Sequence, residues 1–180
     1  MCMKYFLPLE LPWKQSSLEL KNYLFSHFDV PKLVSWTRTN TPEVLANCPS
    51  LKEITGPLGA SIIYIAFVVY HKYNQGVIHV DADVFNKSRI IMPILNCENS
   101  ETVFYSTNAA PIEKKQPNGV PFYYYDKDKC NVVDKFSLND GLFLFRIKEP
   151  HGVSMPTDKM NFPRISCTIA LDVDLTHLLD

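Results

Sequence analysis

Ile62-Ile63-Tyr64-Ile65-Ala66-Phe67-Val68-Val69-Tyr70 is the longest apolar run in the chain. Its residues are almost all β-branched or aromatic, and the run is too short and bulky for a convincing helix. It therefore reads as a buried strand. Downstream of it, short strand patterns alternate with turn chemistry: Gly76 to Asp81, Arg89 to Asn96, Thr102 to Ser106, Pro121 to Tyr125, Asn131 to Phe136, Leu142 to Lys148 and Arg164 to Asp172. Asn118-Gly119 and Asn139-Asp140-Gly141 are turn signals between them. Many short strands with no interleaved helical pattern predict an all-β core, a sandwich or barrel.

Upstream of Gly59 the pattern is helical in pieces. Ser16 and Ser17 precede Leu18 to Phe25, where apolar residues recur at helical spacing behind a capping serine. Thr41-Pro42-Glu43 is a second start, with Thr41 as cap, and Gly56-Pro57 with Gly59 stops helix growth. The organisation expected is one domain over residues 1–180, with a helical preface (1–59) packed on a β core (60–172).

Composition narrows the function. The 180 residues carry a net charge of -1, which argues against a nucleic-acid partner held mainly through phosphates. Cys2, Cys48, Cys97, Cys130 and Cys167 are odd in number with no C-x-x-C pair, so they read as reduced thiols rather than a zinc knuckle or redox dithiol. The first ten residues lack a basic segment followed by a long apolar one, and the longest apolar run falls well short of the roughly 20 residues that span a bilayer. A soluble cytoplasmic protein, without a membrane partner, is expected.

The chemistry begins at His79-Val80-Asp81. On a strand, residues i and i+2 share a face, so the imidazole and carboxylate stand side by side while Val80 points away. A second imidazole would complete the two-His, one-carboxylate facial triad of non-heme iron sites, which leaves metal positions open for other ligands. His151 supplies a candidate within Glu149-Pro150-His151-Gly152-Val153, directly after a predicted strand. Beyond it, Arg164-Ile165-Ser166-Cys167-Thr168 alternates so that Arg164, Ser166 and Thr168 share one face. A guanidinium opening that polar face suggests a carboxylate partner, because it offers a bidentate fork.

H-x-D, then a distal P-H-x-V, then R-x-S on a final strand resembles the Fe(II)- and 2-oxoglutarate-dependent dioxygenases, particularly small bacterial and phage members. The segment from His79 through Arg89 to Cys97 and on to Tyr105 is similar to the same group, and the resemblance covers about residues 60 to 172. It implies a double-stranded β-helix, a jelly-roll or cupin-like core, with a few flanking N-terminal helices. It implies His79, Asp81 and His151 as Fe(II) ligands. Arg164 with Ser166 would hold the distal carboxylate of the cosubstrate 2-oxoglutarate, with Arg89 and Tyr105 as further cosubstrate contacts. The implied activity is hydroxylation of a C–H bond using O2, with release of succinate and CO2. The substrate would be a small molecule or a peptide or protein side chain.

Other readings stand beside these. His79 and Asp81 could be a hydrogen-bonded pair at a strand end, Arg89 could pair with Asp83, and Asp83 is a rival carboxylate ligand. His71 and His177 have no partners at useful spacing. Tyr123-Tyr124-Tyr125 reads more readily as core packing than as a stacking platform, and Glu113-Lys114-Lys115-Gln116 as a solvated loop. Ser106 to Gly119 is expected to be a long loop covering the pocket mouth. A cupin-like binding module without turnover, or a Zn or Mn protein with non-oxidative chemistry, would satisfy the metal motif as well.

Overall fold

The computed structural model describes residues 4–72, 77–81, 86–115, 121–139, 141–156 and 158–180. Asp83, Gln116, the Asn118-Gly119 turn and Asp140 lie outside the described residues. Twelve strands are described: β1 (Phe6–Leu9), β2 (Trp36–Arg38), β3 (Ile62–Tyr70), β4 (His79–Val80), β5 (Ser88–Leu95), β6 (Glu101–Ser106), β7 (Ile112–Lys115), β8 (Pro121–Tyr124), β9 (Asn131–Ser137), β10 (Leu142–Arg146), β11 (His151–Ser154) and β12 (Arg164–Leu171). Three α-helices precede the core: α1 (Trp13–His27), α2 (Thr41–Asn47) and α3 (Leu51–Thr55).

The strands form two six-stranded sheets, ordered β1-β10-β5-β12-β3-β2 and β7-β8-β4-β11-β6-β9. All the pairings are antiparallel. The molecule is thus a mostly-β two-sheet protein with helices on one outer face. From β3 to β12 the chain alternates between the sheets, except where β6, β7, β8 and β9 stay in the second.

Side-chain alternation explains the layering. Ile65, Phe67 and Val69 of β3, with Ile165, Cys167, Ile169 and Leu171 of β12, join one core cluster with Leu20, Tyr23 and Leu24 of α1 and Leu51 and Ile54 of α3. That outer face is where the preface docks. All eight residues of β12 are buried, as a strand enclosed on both faces requires. The inner face carries a second cluster, in which Ile91, Phe143 and Phe145 meet Phe104 and Phe136 of the opposite sheet and Leu138 just past β9. Phe136 and Phe143 lie 4.3 Å apart, ring to ring. Farther along the same inner face, β12 and β3 present Arg164, Ser166, Thr168, Tyr64 and Tyr70. One side of the sandwich interior is thus plugged with aromatics, and the other is polar.

The preface departs from its sequence reading in two respects. Residues 6–9 and 36–38 are edge strands of the first sheet. Helix α1 also begins a turn earlier than the serines suggest, at Trp13 after Pro12. Ser16 and Ser17 do not cap it: Ser16 shares a buried hydrogen bond with Ser50, and Ser17 donates to the carbonyl of Pro93, tying the helix to α3 and β5. Thr41 is the first residue of α2 rather than its cap, which is Asn40. Farther on, Ile112–Lys115 is a strand paired with β8, so this part of the expected long loop is an exposed edge of the second sheet. A strand also forms at His151–Ser154, a segment that carries no strand pattern of its own.

Candidate metal centre

β4 and β11 are adjacent antiparallel strands, and their register sets His79 directly opposite His151. Directly opposed residues share a face, so the two imidazoles meet with ring centroids 4.5 Å apart. Asp81 follows at i+2, anchored by its backbone N–H to the carbonyl of Ile147 at 2.9 Å. One ligand atom from each of His79, Asp81 and His151 lies within 4.8 Å of the others. The sequence-predicted triad comes together, and among the described residues no other His, Cys, Asp or Glu trio does.

The hydrogen bonds behind the ligands fit a metal. His79 Nδ1 is 2.9 Å from the carbonyl of Val77, and His151 Nδ1 is 2.9 Å from the carbonyl of Glu149. A carbonyl only accepts, so each Nδ1 carries the proton and each Nε2 presents its lone pair. The same device, a carbonyl two residues upstream, is used on both strands. Asp81 is held at both oxygens: Oδ1 is 3.5 Å from His79 Nε2, and Oδ2 is 3.5 Å from Arg89 Nη1. Arg89 thereby steers one carboxylate oxygen away from the imidazoles and leaves the other toward them. Phe104 and Phe145 flank the His151 ring at 6.0 and 5.5 Å, and Phe122 lies 5.2 Å from His79.

The electrostatics divide the imidazoles. Burial pushes the His151 pKa down, the neighbouring His79 adds to the effect, and together they bring it to about 4. Burial also opposes charge on His79, but the hydrogen bond and the charge of Asp81 outweigh it and raise its pKa above the ordinary value. Burial alone would raise Asp81, yet His79, His151 and Arg89 hold its carboxyl well below the usual range. The cluster thus offers one imidazole held neutral, one carboxylate, and one imidazole whose affinity for a proton Asp81 strengthens, so that protons compete with a cation there.

Arg164 is fully buried. Its Nε donates to Ser100 Oγ at 3.2 Å and its Nη1 to Ser166 Oγ at 3.0 Å, while Nη2 is buried with no hydrogen-bond partner among the described residues. The guanidinium sits 5.6 Å from the ring of Tyr70. Burial raises the Tyr70 pKa, the charge of Arg164 lowers it and that of Asp81 raises it, so the phenol stands within the fields of both. Arg164 and Ser166 therefore share the polar interior with the triad, and Arg89 contacts a triad member. Tyr105 does not join them. Its neighbour Phe104 faces His151, so alternation turns Tyr105 to the outer face of β6. Sequence reasoning missed Ser100, Phe122, Tyr70 and the two carbonyls, since backbone acceptors and cross-sheet neighbours leave no local sequence signal.

Fold and site together define a mostly-β, two-sheet protein with a three-residue, metal-competent His/Asp/His cluster between its sheets. No protein-family model and no curated protein sequence matches the chain. Among solved structures, it is similar to an L-ribose isomerase of Cellulomonas parahominis with L-psicose, at 12% identity and TM-score 0.32 over 59% of this chain and 48% of that one. It is also similar to a mutant L-ribose isomerase of Acinetobacter sp. DL28 in complex with L-ribose, at 17% identity and TM-score 0.33 over 64% and 50%. The matches span about half the length of those isomerases. No helix among the described residues is long and apolar enough to cross a membrane.

Proposed function

We propose that the protein is an Fe(II)- and 2-oxoglutarate-dependent oxygenase built on a double-stranded β-helix. In this reading β3, β5, β10 and β12 form one wall of the helix and β4, β6, β9 and β11 the other. The overall reaction converts a substrate C–H, O2 and 2-oxoglutarate into C–OH, succinate and CO2. The iron, when bound, supplies the open coordination positions at which O2 chemistry can occur.

The observation that carries this reading is Arg164. A buried cation without an acidic partner is costly, and among the described residues Arg164 has no acidic partner and its Nη2 no acceptor. A carboxylate arriving there satisfies the fork, with Ser166 and Ser100 beside it. Tyr70 stands opposite Arg164 in the β3–β12 register, its ring 5.6 Å from the guanidinium, and its phenol lies within the fields of both Arg164 and Asp81. A dicarboxylate with one end at each place fits this arrangement, whereas a hydrolytic metal site has no use for the second cation. The chain's own work is to hold His79, Asp81 and His151 in position, to orient the cosubstrate by its far end, and to shield the site with Phe104, Phe122 and Phe145.

The test is Fe(II)-dependent decarboxylation of 2-oxoglutarate without substrate, followed as succinate formation. Turnover in wild type that vanishes in His151→Ala is expected. Stoichiometric iron binding without any succinate would refute the oxygenase reading in favour of a binding or non-oxidative metal protein.

A further inference from the structure

Four arginines occur in the chain, and three have polar anchors among the described residues. Arg89 pairs with Asp81, Arg146 with Asp180 and the carbonyl of Lys4, and Arg164 with Ser100 and Ser166. Arg38 is different: it has no ion pair or hydrogen bond among the described residues, and it is held only over the face of Tyr64, 4.7 Å from the ring centroid. The guanidinium of Arg89 lies 4.9 Å from the same centroid. The pairing of β2 with β3 sets Arg38 opposite Ala66 and Trp36 opposite Val68, on the inner face that also bears Tyr64 and Tyr70. Ala170, level with Tyr64 on β12, is small enough for Arg89 to reach across from β5. A continuous row therefore runs from the rim to the cluster: Arg38, Tyr64, Arg89, Asp81.

We propose that Trp36, Arg38 and Tyr64 form the substrate subsite of the proposed oxygenase, and that the substrate carries a carboxylate that Arg38 binds beside an apolar or aromatic portion resting on Trp36. The charge is right for an anion, since the exposed guanidinium of Arg38 stands on the edge strand of the inner face that Arg89 and Arg164 also line. A carboxylate rather than a phosphate is favoured because Arg38 is the single arginine without a polar anchor among the described residues, and phosphates are commonly held by several donors at once. The apolar portion follows from Trp36, which is 45% exposed and stands edge-on to Tyr64 at 6.0 Å, with half-buried Val68 beside it. Such a wall, with one fixed charge at its edge, is the composition of a small-molecule site.

The proposal rests on the oxygenase reading for its word "substrate", but the binding it states does not need turnover. Trp36 is one of two tryptophans, so a Trp13→Phe background makes its fluorescence a local reporter. In that background, 3-phenylpropanoate, N-acetylphenylalaninate and phenylacetate are titrated against their primary amides and against phenyl phosphate, in Zn(II)-loaded protein. At least one carboxylate should quench saturably and bind tenfold or more tighter than its amide. Arg38→Gln should erase that preference, and Arg38→Lys should restore part of it. Equal binding of acid and amide, no saturable binding by any acid, or a preference untouched by Arg38→Gln would each overturn the subsite. Tighter binding of phenyl phosphate than of every carboxylate would overturn the assigned anion. Carboxylate binding in a protein that makes no succinate from 2-oxoglutarate would sink the oxygenase reading and leave the subsite standing.

Discussion

Gly152 makes the most local test of how the backbone holds the metal ligands. It follows His151 in β11, and a Cβ built there would lie 3.1 Å from the carbonyl oxygen of Val77 and 3.6 Å from Cα of Ile78. Comfortable contacts between such atoms begin at about 3.5 Å, so Gly152→Ala must displace the Val77 peptide by a few tenths of an ångström. That peptide cannot swing aside like a side-chain tip, and its oxygen accepts the 2.9 Å hydrogen bond from His79 Nδ1. Loss of such an orienting bond weakens metal affinity by about 10- to 100-fold. A partial displacement belongs at the lower end, about tenfold or ~1.4 kcal/mol. Overpacking costs about 1–3 kcal/mol, offset by about 0.4–1 kcal/mol from the stiffer unfolded chain, so the variant should remain folded. Anaerobic Fe(II) titration by calorimetry reads the affinity, with thermal unfolding as the folding control. Gly56→Ala, where a Cβ meets nothing within 4 Å, should bind iron as wild type does. A folded Gly152→Ala protein with unchanged iron affinity would refute the idea that Val77 orients His79.

Other consequences follow from the same geometry. Arg164→Met removes a charge-assisted contact worth about 1.5–3 kcal/mol, so KM for 2-oxoglutarate should rise by about 10- to 100-fold with Fe(II) affinity little changed; succinate-formation kinetics read both. His79 holds a raised pKa and must lose its proton to ligate, so metal affinity should climb roughly tenfold per pH unit below that pKa and level off above it. His151, neutral down to about pH 4, should add no step in the neutral range. Calorimetry at several pH values, with proton release measured, checks the sign: affinity that falls with rising pH would contradict it. Phe104→Ala empties a fully buried position beside His151 and should cost about 3–5 kcal/mol in urea unfolding.

The sequence carried the parts of this account that depend on local periodicity. Period-two alternation in Arg164 to Leu171 predicted a polar and an apolar face, and the apolar one does meet the helices. The i, i+2 rule placed His79 beside Asp81, and the cross-strand register brings them the His151 already named from the sequence. What stayed illegible depends on neighbours remote in sequence. The short strands Phe6–Leu9 and Trp36–Arg38 have little pattern of their own and exist because a sheet edge was there to pair with. Ser16 and Ser17 look like helix caps until tertiary partners claim their hydroxyls. Tyr105 looked like a site residue from its place in the resemblance, and only the position of Phe104 against His151 shows which face it takes. Arg38 gave no signal, since the role proposed for it rests on its having no polar partner among the described residues and only the face of Tyr64 beneath it.

The proposed site has His79, Asp81 and His151 holding iron in the interior that the buried guanidinium of Arg164 shares. Its most direct test is anaerobic titration of the metal-free protein with Fe(II) and then with 2-oxoglutarate, watching for the weak visible charge-transfer band of an iron chelate. No band is expected with iron alone, a band on adding 2-oxoglutarate, and loss of that band in His151→Ala. Bound iron that never develops the band would contradict the cosubstrate assignment, and failure to bind iron at all would contradict the triad.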